Sequence, residues 1–167
     1  MRKGGGKAKG ASFERSVCKA LSLWVSHNKH EDVFWRSAMS GGRSTVAYAK
    51  GKRLAEQAGD ITCIHPIGQA FANRFLMECK TYRDLQYYGL LSSKGNLVKF
   101  WREACRQAQR YGKLPLMVAK QNQQPATVCL SRDGAKLLRV RPIITAPKLN
   151  LRIVLLDEFL KTATKVP

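Results

Sequence analysis

Acidic residues are scarce in this chain: 11 Asp and Glu stand against 30 Lys and Arg, a formal net charge of +19. That balance excludes a partner of like charge and is the electrostatic footprint of a polyanion binder, with nucleic acid foremost. Long hydrophobic runs are missing too. None reaches the roughly 18 to 20 residues that span a bilayer, so no membrane partner is expected. The basic, glycine-rich start lacks the apolar stretch of a secretory signal, and a cytoplasmic location is expected, in a bacterial, archaeal or phage-infected host cell. The five cysteines are odd in number and widely separated, with no CxxC pair, which excludes a zinc knuckle and a disulfide framework. The three histidines, His27, His30 and His65, have no ligand spacing. What remains is ample apolar material: 44% of the 167 residues are hydrophobic, enough for one domain with a real core.

Met1 to Gly10 carries Arg2, Lys3, Lys7 and Lys9 among glycines and reads as a flexible basic arm over about residues 1–11. Ser12 can cap a helix running from about Phe13 to His27, with Phe13, Val17, Leu21 and Trp24 at helical spacing. Glu14 would lie in its first turn, where the ordinary role of a carboxylate is to complement the helix dipole. Val33 to Arg36 reads as a short strand, and about residues 37–59, glycine-rich and basic with Arg43, Lys50, Lys52 and Arg53, as a mobile loop facing substrate.

Asp60–Ile64 and Phe71–Lys80 read as two strands joined through the Pro66 and Gly68 turn, an antiparallel hairpin. Leu97 to Tyr111 has a helical stripe ended by Gly112, and an apolar strand follows at Leu116 to Ala119. A strand–helix–strand order predicts a parallel crossover. The fold class is therefore α/β, a mixed sheet flanked by helices, in one domain over 12–167. Further strands are expected at Ala126–Leu130 and Leu151–Leu156, then a closing helix from Asp157. The basic run Arg132, Lys136, Arg139 and Arg141, in an extension beyond about residue 121, reads as a solvated face. Tyr87, Tyr88, Phe100 and Trp101 are candidates for a dimer seam or for stacking on bases, core being the ordinary place for Trp101.

Against so basic a background, acids aimed at one point carry weight. Asp60 opens a β run, Glu78 closes the next, and Lys80 follows two positions later. On a strand, residues i and i+2 face the same way, so Glu78 and Lys80 offer an anion and a cation to one spot. Carboxylates of this kind hold Mg²⁺ beside waters and phosphates, and the lysine can orient a water or offset charge on a phosphate. That is the chemistry of phosphodiester hydrolysis.

The succession Phe13-Glu14-Arg15, Arg36, Ser40-Gly41, Asp60-Ile61 and Glu78-Cys79-Lys80 resembles the PD-(D/E)XK nuclease superfamily, and within it the archaeal-type Holliday-junction resolvases and their phage relatives. The resemblance covers about Lys3 to Val118 and implies a restriction-endonuclease-like fold. By that resemblance Glu14, Asp60 and Glu78, with the Cys79 main-chain carbonyl, form the metal site for Mg²⁺ or Mn²⁺. Lys80 is then the catalytic lysine, Ser40 an active-site residue, and Arg15 and Arg36 phosphate contacts. The resemblance also implies a homodimer acting on four-way junctions or other branched DNA. Lys3, Lys7, Lys9, Arg43, Lys50, Lys52 and Arg53 would bind its backbone. Two departures stand out: Gly59 replaces the superfamily's nominal proline, and the stretch between Ser40 and Asp60 is long.

Overall fold

The computed structural model describes residues 5–37 and 58–165, leaving aside the side chains of 5–7. Helix α1 spans Gly5–Val25 and buries Val17, Leu21 and Trp24, the stripe expected of it. It begins eight residues before Phe13, so residues 5–10, read from the sequence as part of a basic arm, are its opening turns, while residues 1–4 of that arm lie outside the described residues. A glycine costs a helix up to about 1 kcal/mol, but a helix already nucleated by a packed face gains a hydrogen bond for each residue added. Ala8, Lys9 and Ala11 favour that extension.

Strands β1 (Phe34–Arg36) and β2 (Ile61–Cys63) pair antiparallel, Arg36 opposite Ile61. The buried Ser22 hydroxyl of α1 accepts a hydrogen bond from the Phe34 N–H at 2.9 Å and locks the helix to β1. The expected hairpin between Asp60–Ile64 and Phe71–Lys80 does not form. Pro66–Gly68 winds into a 3₁₀ turn, with His65 Nδ1 accepting from the Ile67 N–H, and leads into helix α2 (Gln69–Arg74). Phe71 then packs into an aromatic cluster against Trp24, at 5.2 Å between ring centroids, and Phe75, at 4.8 Å. This apolar anchor holds Gln69–Arg74 as a helix, and strand β3 is shortened to Phe75–Tyr82.

From β3 the chain crosses through helix α3 (Asn96–Arg110) to strand β4 (Leu114–Gln121), which lies parallel to β3 as expected. Helix α3 ends in a left-handed Gly112: the Lys113 N–H reaches the Ala108 carbonyl and the Gly112 N–H that of Gln109, satisfying the last carbonyls. Strand β5 (Thr127–Leu130), helix α4 (Arg132–Leu137), strands β6 (Ile144–Ala146) and β7 (Leu151–Leu155) and helix α5 (Leu156–Thr162) complete the chain. Among the described residues the main sheet has the order β3-β4-β5-β7-β6, parallel at β3-β4 and antiparallel elsewhere. Helix α4 and strand β6 were not expected. The Ser131 hydroxyl caps α4 by accepting from the Gly134 N–H, while Arg132, Lys136, Arg139 and Arg141 are exposed, as read from the sequence.

Alternation along β3 divides the interior. Phe75, Met77 and Cys79 join the core beneath α1, whereas Leu76 packs with Ala108 of α3 on the other face. Glu78 and Lys80 share that second face by the strand period. All five cysteines are free, and no helix among the described residues is long and apolar enough to cross a membrane.

Candidate active site

Asp60 is placed by its neighbours' backbone. Gly59 sits at φ +85°, and a Cβ there would lie 2.6 Å from the Met77 carbonyl oxygen. The Asp60 N–H donates to that same carbonyl at 2.9 Å, and its Oδ2 accepts the Cys79 N–H at 2.9 Å. The carboxyl is thereby pinned against the edge of β3, one residue from Glu78. The nominal proline could not serve here, since its ring holds φ near −65°.

Glu78 is only 3% exposed. Burial, and then the adjacent Asp60 carboxylate, push its pKa up to about 8, against the pull of Lys80. Lys80 Nζ stands 3.0 Å from Glu78 Oε2 and 3.8 Å from Asp60 Oδ2. Its own burial disfavours the ammonium, but Glu78 and Asp60 outweigh that, and its pKa is raised. Two buried carboxylates in mutual contact share one lysine. Such a pair of hard oxygen donors is stabilised by a divalent cation, and this donor chemistry suits Mg²⁺ or Mn²⁺.

Glu14 is the exception among the proposed acids. Because α1 begins at Gly5, Glu14 lies well inside the helix, and a capping role in the first turn is ruled out. Its Oε2 meets Arg36 Nε of β1 in a partly buried ion pair. The structure does not bring it into a three-carboxylate cluster with Asp60 and Glu78: among the described residues no three His, Cys, Asp or Glu side chains group as a metal site. Electrostatically it remains a neighbour, since both Glu14 and Asp60 raise the pKa of the buried Cys18 thiol, which burial first drives up to about 12. Arg36, expected to contact phosphate, is engaged by Glu14.

Cys79 meets the site through its main chain, its thiol being buried on the α1 face. Arg15 is exposed on α1, and Lys9 lines a cavity of about 650 Å³ with Phe13, Tyr82, Arg83 and Lys120. Lys3, Ser40, Arg43, Lys50, Lys52 and Arg53 lie outside the described residues, as does the Lys7 side chain. Sequence reasoning missed Glu103, an acid of α3 that also raises the pKa of Lys80. In the sequence it is one more charge on a helix, and only the packing of α3 over β3 reveals it.

A mixed sheet flanked by helices, with Asp60 beside the Glu78-Cys79-Lys80 strand, defines a nuclease with the restriction-endonuclease-like fold. The chain belongs to the family described as "Phage putative PDDEXK endonuclease", whose profile matches residues 5–150. No curated protein sequence and no solved structure matches the chain.

Proposed function

We propose that this endonuclease is a divalent-metal-dependent enzyme hydrolysing phosphodiester bonds in branched DNA, a Holliday-junction resolvase acting as a homodimer. The observation that carries the catalytic part is the meeting of Asp60, Glu78 and Lys80 at the middle of β3. Asp60 and Glu78, with the Cys79 main-chain carbonyl, would hold Mg²⁺ or Mn²⁺. Such an ion, when bound, polarises the scissile phosphate and lowers the pKa of its water. Lys80 supplies positive charge beside Glu78, where it orients the attacking water or offsets charge on the phosphate. The Glu14–Arg36 pair flanks these groups, with Glu14 oriented towards the metal cluster when DNA engages Arg36. Ser40 contributes to the same centre. Arg15, Arg43, Lys50, Lys52 and Arg53, with Lys3, Lys7 and Lys9, contact the DNA backbone.

The branched substrate rests on the resemblance of the motif succession to resolvases. The dimer rests on the symmetry of a four-way junction, in which two strands are cut at related positions by what is then best a C2 pair. Cleavage of a four-way junction, a flap and a linear duplex, compared at the same salt with Mg²⁺ present, tests this reading. Preference for the junction with paired cuts supports it. Equal cutting of all three assigns the enzyme a nicking, repair or trimming role instead.

A further inference from the structure

The segment between β3 and α3 exposes two large apolar side chains on a well-braced loop. Tyr88 and Leu91 are each 89% exposed. They lie in the 3₁₀ turn Tyr87–Ser92, where residues three apart eclipse, so both point the same way. The alternate pair, Tyr87 and Leu90, points inward and packs on the core beneath α3. Around them the loop is closely tied. Leu85 is fully buried and its N–H is held by the Gln121 side chain at 2.8 Å; the Tyr87 hydroxyl bonds Thr127 at 3.0 Å. Asn96 binds the Gln86 side chain and the Asp84 carbonyl, and the Lys94 N–H closes on the Gly89 carbonyl. A Cβ on Gly89 would collide with the Lys94 carbonyl oxygen, so only glycine permits that closure. Leaving two apolar side chains in water on a turn so closely tied is a cost that folding does not require.

Position indicates the occupant. Thr127, the partner of Tyr87, stands in register with Ala119, which is in register with Lys80, two strand spacings or roughly 10 Å away. Beside the loop, Lys94, Lys99, Arg102 and Arg106 line a groove of about 490 Å³ with Ser93, Val98 and Glu103. An apolar pair flanked by cations, on a loop anchored through Tyr87 to the sheet that carries Lys80, suits nucleobases whose backbone is held alongside. We infer that Tyr88 and Leu91 form a wedge that stacks on bases unpaired at the branch point of DNA while Lys94, Lys99, Arg102 and Arg106 hold the adjoining phosphates. This rests on the nuclease reading and deepens its substrate preference, since a fully paired linear duplex offers the wedge no open base.

The test uses Tyr88→Ala, Leu91→Ala, the double variant and Tyr88→Phe, all at surface positions. Without divalent ion, the probe is a four-way junction, and separately a gapped duplex, carrying 2-aminopurine opposite or beside the opening. Wild type changes its fluorescence, Tyr88→Phe keeps the change because the ring still stacks, and the double variant loses it and binds about tenfold or more weakly. With Mg²⁺, the double variant loses the preference for the junction over the linear duplex that wild type shows. An undiminished fluorescence change in the double variant overturns the wedge. So does a wild-type dimer that the double variant splits in sedimentation, which assigns the pair to a second copy of the chain. A wild type that cuts branched and linear DNA alike contradicts the junction reading alone, and fluorescence on the gapped duplex still decides the wedge.

Discussion

A carboxyl held close to another carboxylate in a buried place makes stability depend on pH. Folded Glu78 binds its proton more tightly than the unfolded chain does, with a pKa near 8 against an ordinary 4.5. Its contribution is therefore whole below about pH 4.5 and is lost as pH rises towards 8. The melting temperature of the metal-free protein is expected to fall across that window, and Asp60→Asn should flatten the fall by removing the neighbouring charge. Mg²⁺ should restore more stability near the top of the window than near its bottom, because the ion binds the ionised pair. A melting temperature that is level with pH and indifferent to Mg²⁺ would contradict this account of the pair.

Glu14 poses a different question at the same scale. Its partner Arg36 is about a third exposed, so the ion pair contributes only about 1 kcal/mol or less to stability. Glu14→Gln should leave the denaturation midpoint almost unchanged while lowering cleavage by roughly tenfold or more if the carboxylate serves the metal site. Full cleavage by this variant would reduce the residue to a clasp between α1 and β1. The closeness of Glu78 and Lys80 was legible in the sequence because a strand's period puts i and i+2 on one side, and that of Asp60 through the order of the motifs. The Glu14–Arg36 pairing was not, because it depends on where α1 begins and how that helix crosses β1.

Among the elements, the turn into Asp60 is the most exacting. Gly59→Ala meets the Met77 carbonyl and a left-handed backbone at once, and should cost about 1 to 3 kcal/mol, read from the denaturation midpoint. Gly59→Pro, which restores the superfamily's nominal residue, should lose cleavage outright, since its fixed φ moves the carboxyl away from the Cys79 N–H. An active, stable Gly59→Pro protein would refute the turn geometry. Elements with a strong period were the readable ones: α1 from Val17 to Trp24, α3 with its Gly112 stop, and the parallel β3-β4 crossover. Phe71–Arg74 misled because Phe71 suits a strand by composition and adjoins one, yet tertiary contact with Trp24 decides for helix. Strand β6 escaped notice because its three residues are an exposed edge that gains pairing only from β7.

Over the whole molecule, a net charge of +19 makes binding to DNA a matter of counterion release. Each phosphate contact removed should flatten the slope of log K against log salt by roughly 0.9. Replacing Lys94, Lys99, Arg102 and Arg106 by alanine, on the face of Lys80, should flatten it clearly. The same treatment of Arg132, Lys136, Arg139 and Arg141 should change it less, because that cluster flanks α4, which packs on the other face of the sheet. A reversal of the two results would move the DNA to the other face.

The most direct test of the central claim is metal-dependent cleavage measured alongside binding in Asp60→Asn, Glu78→Gln and Lys80→Ala. Each variant should lose roughly a hundredfold or more of Mg²⁺-supported strand cleavage. Binding to the same DNA should persist in all three, and tighten where a negative charge facing phosphate has been removed. Cleavage at the wild-type rate by any of them would contradict the assignment of Asp60, Glu78 and Lys80 as the catalytic centre.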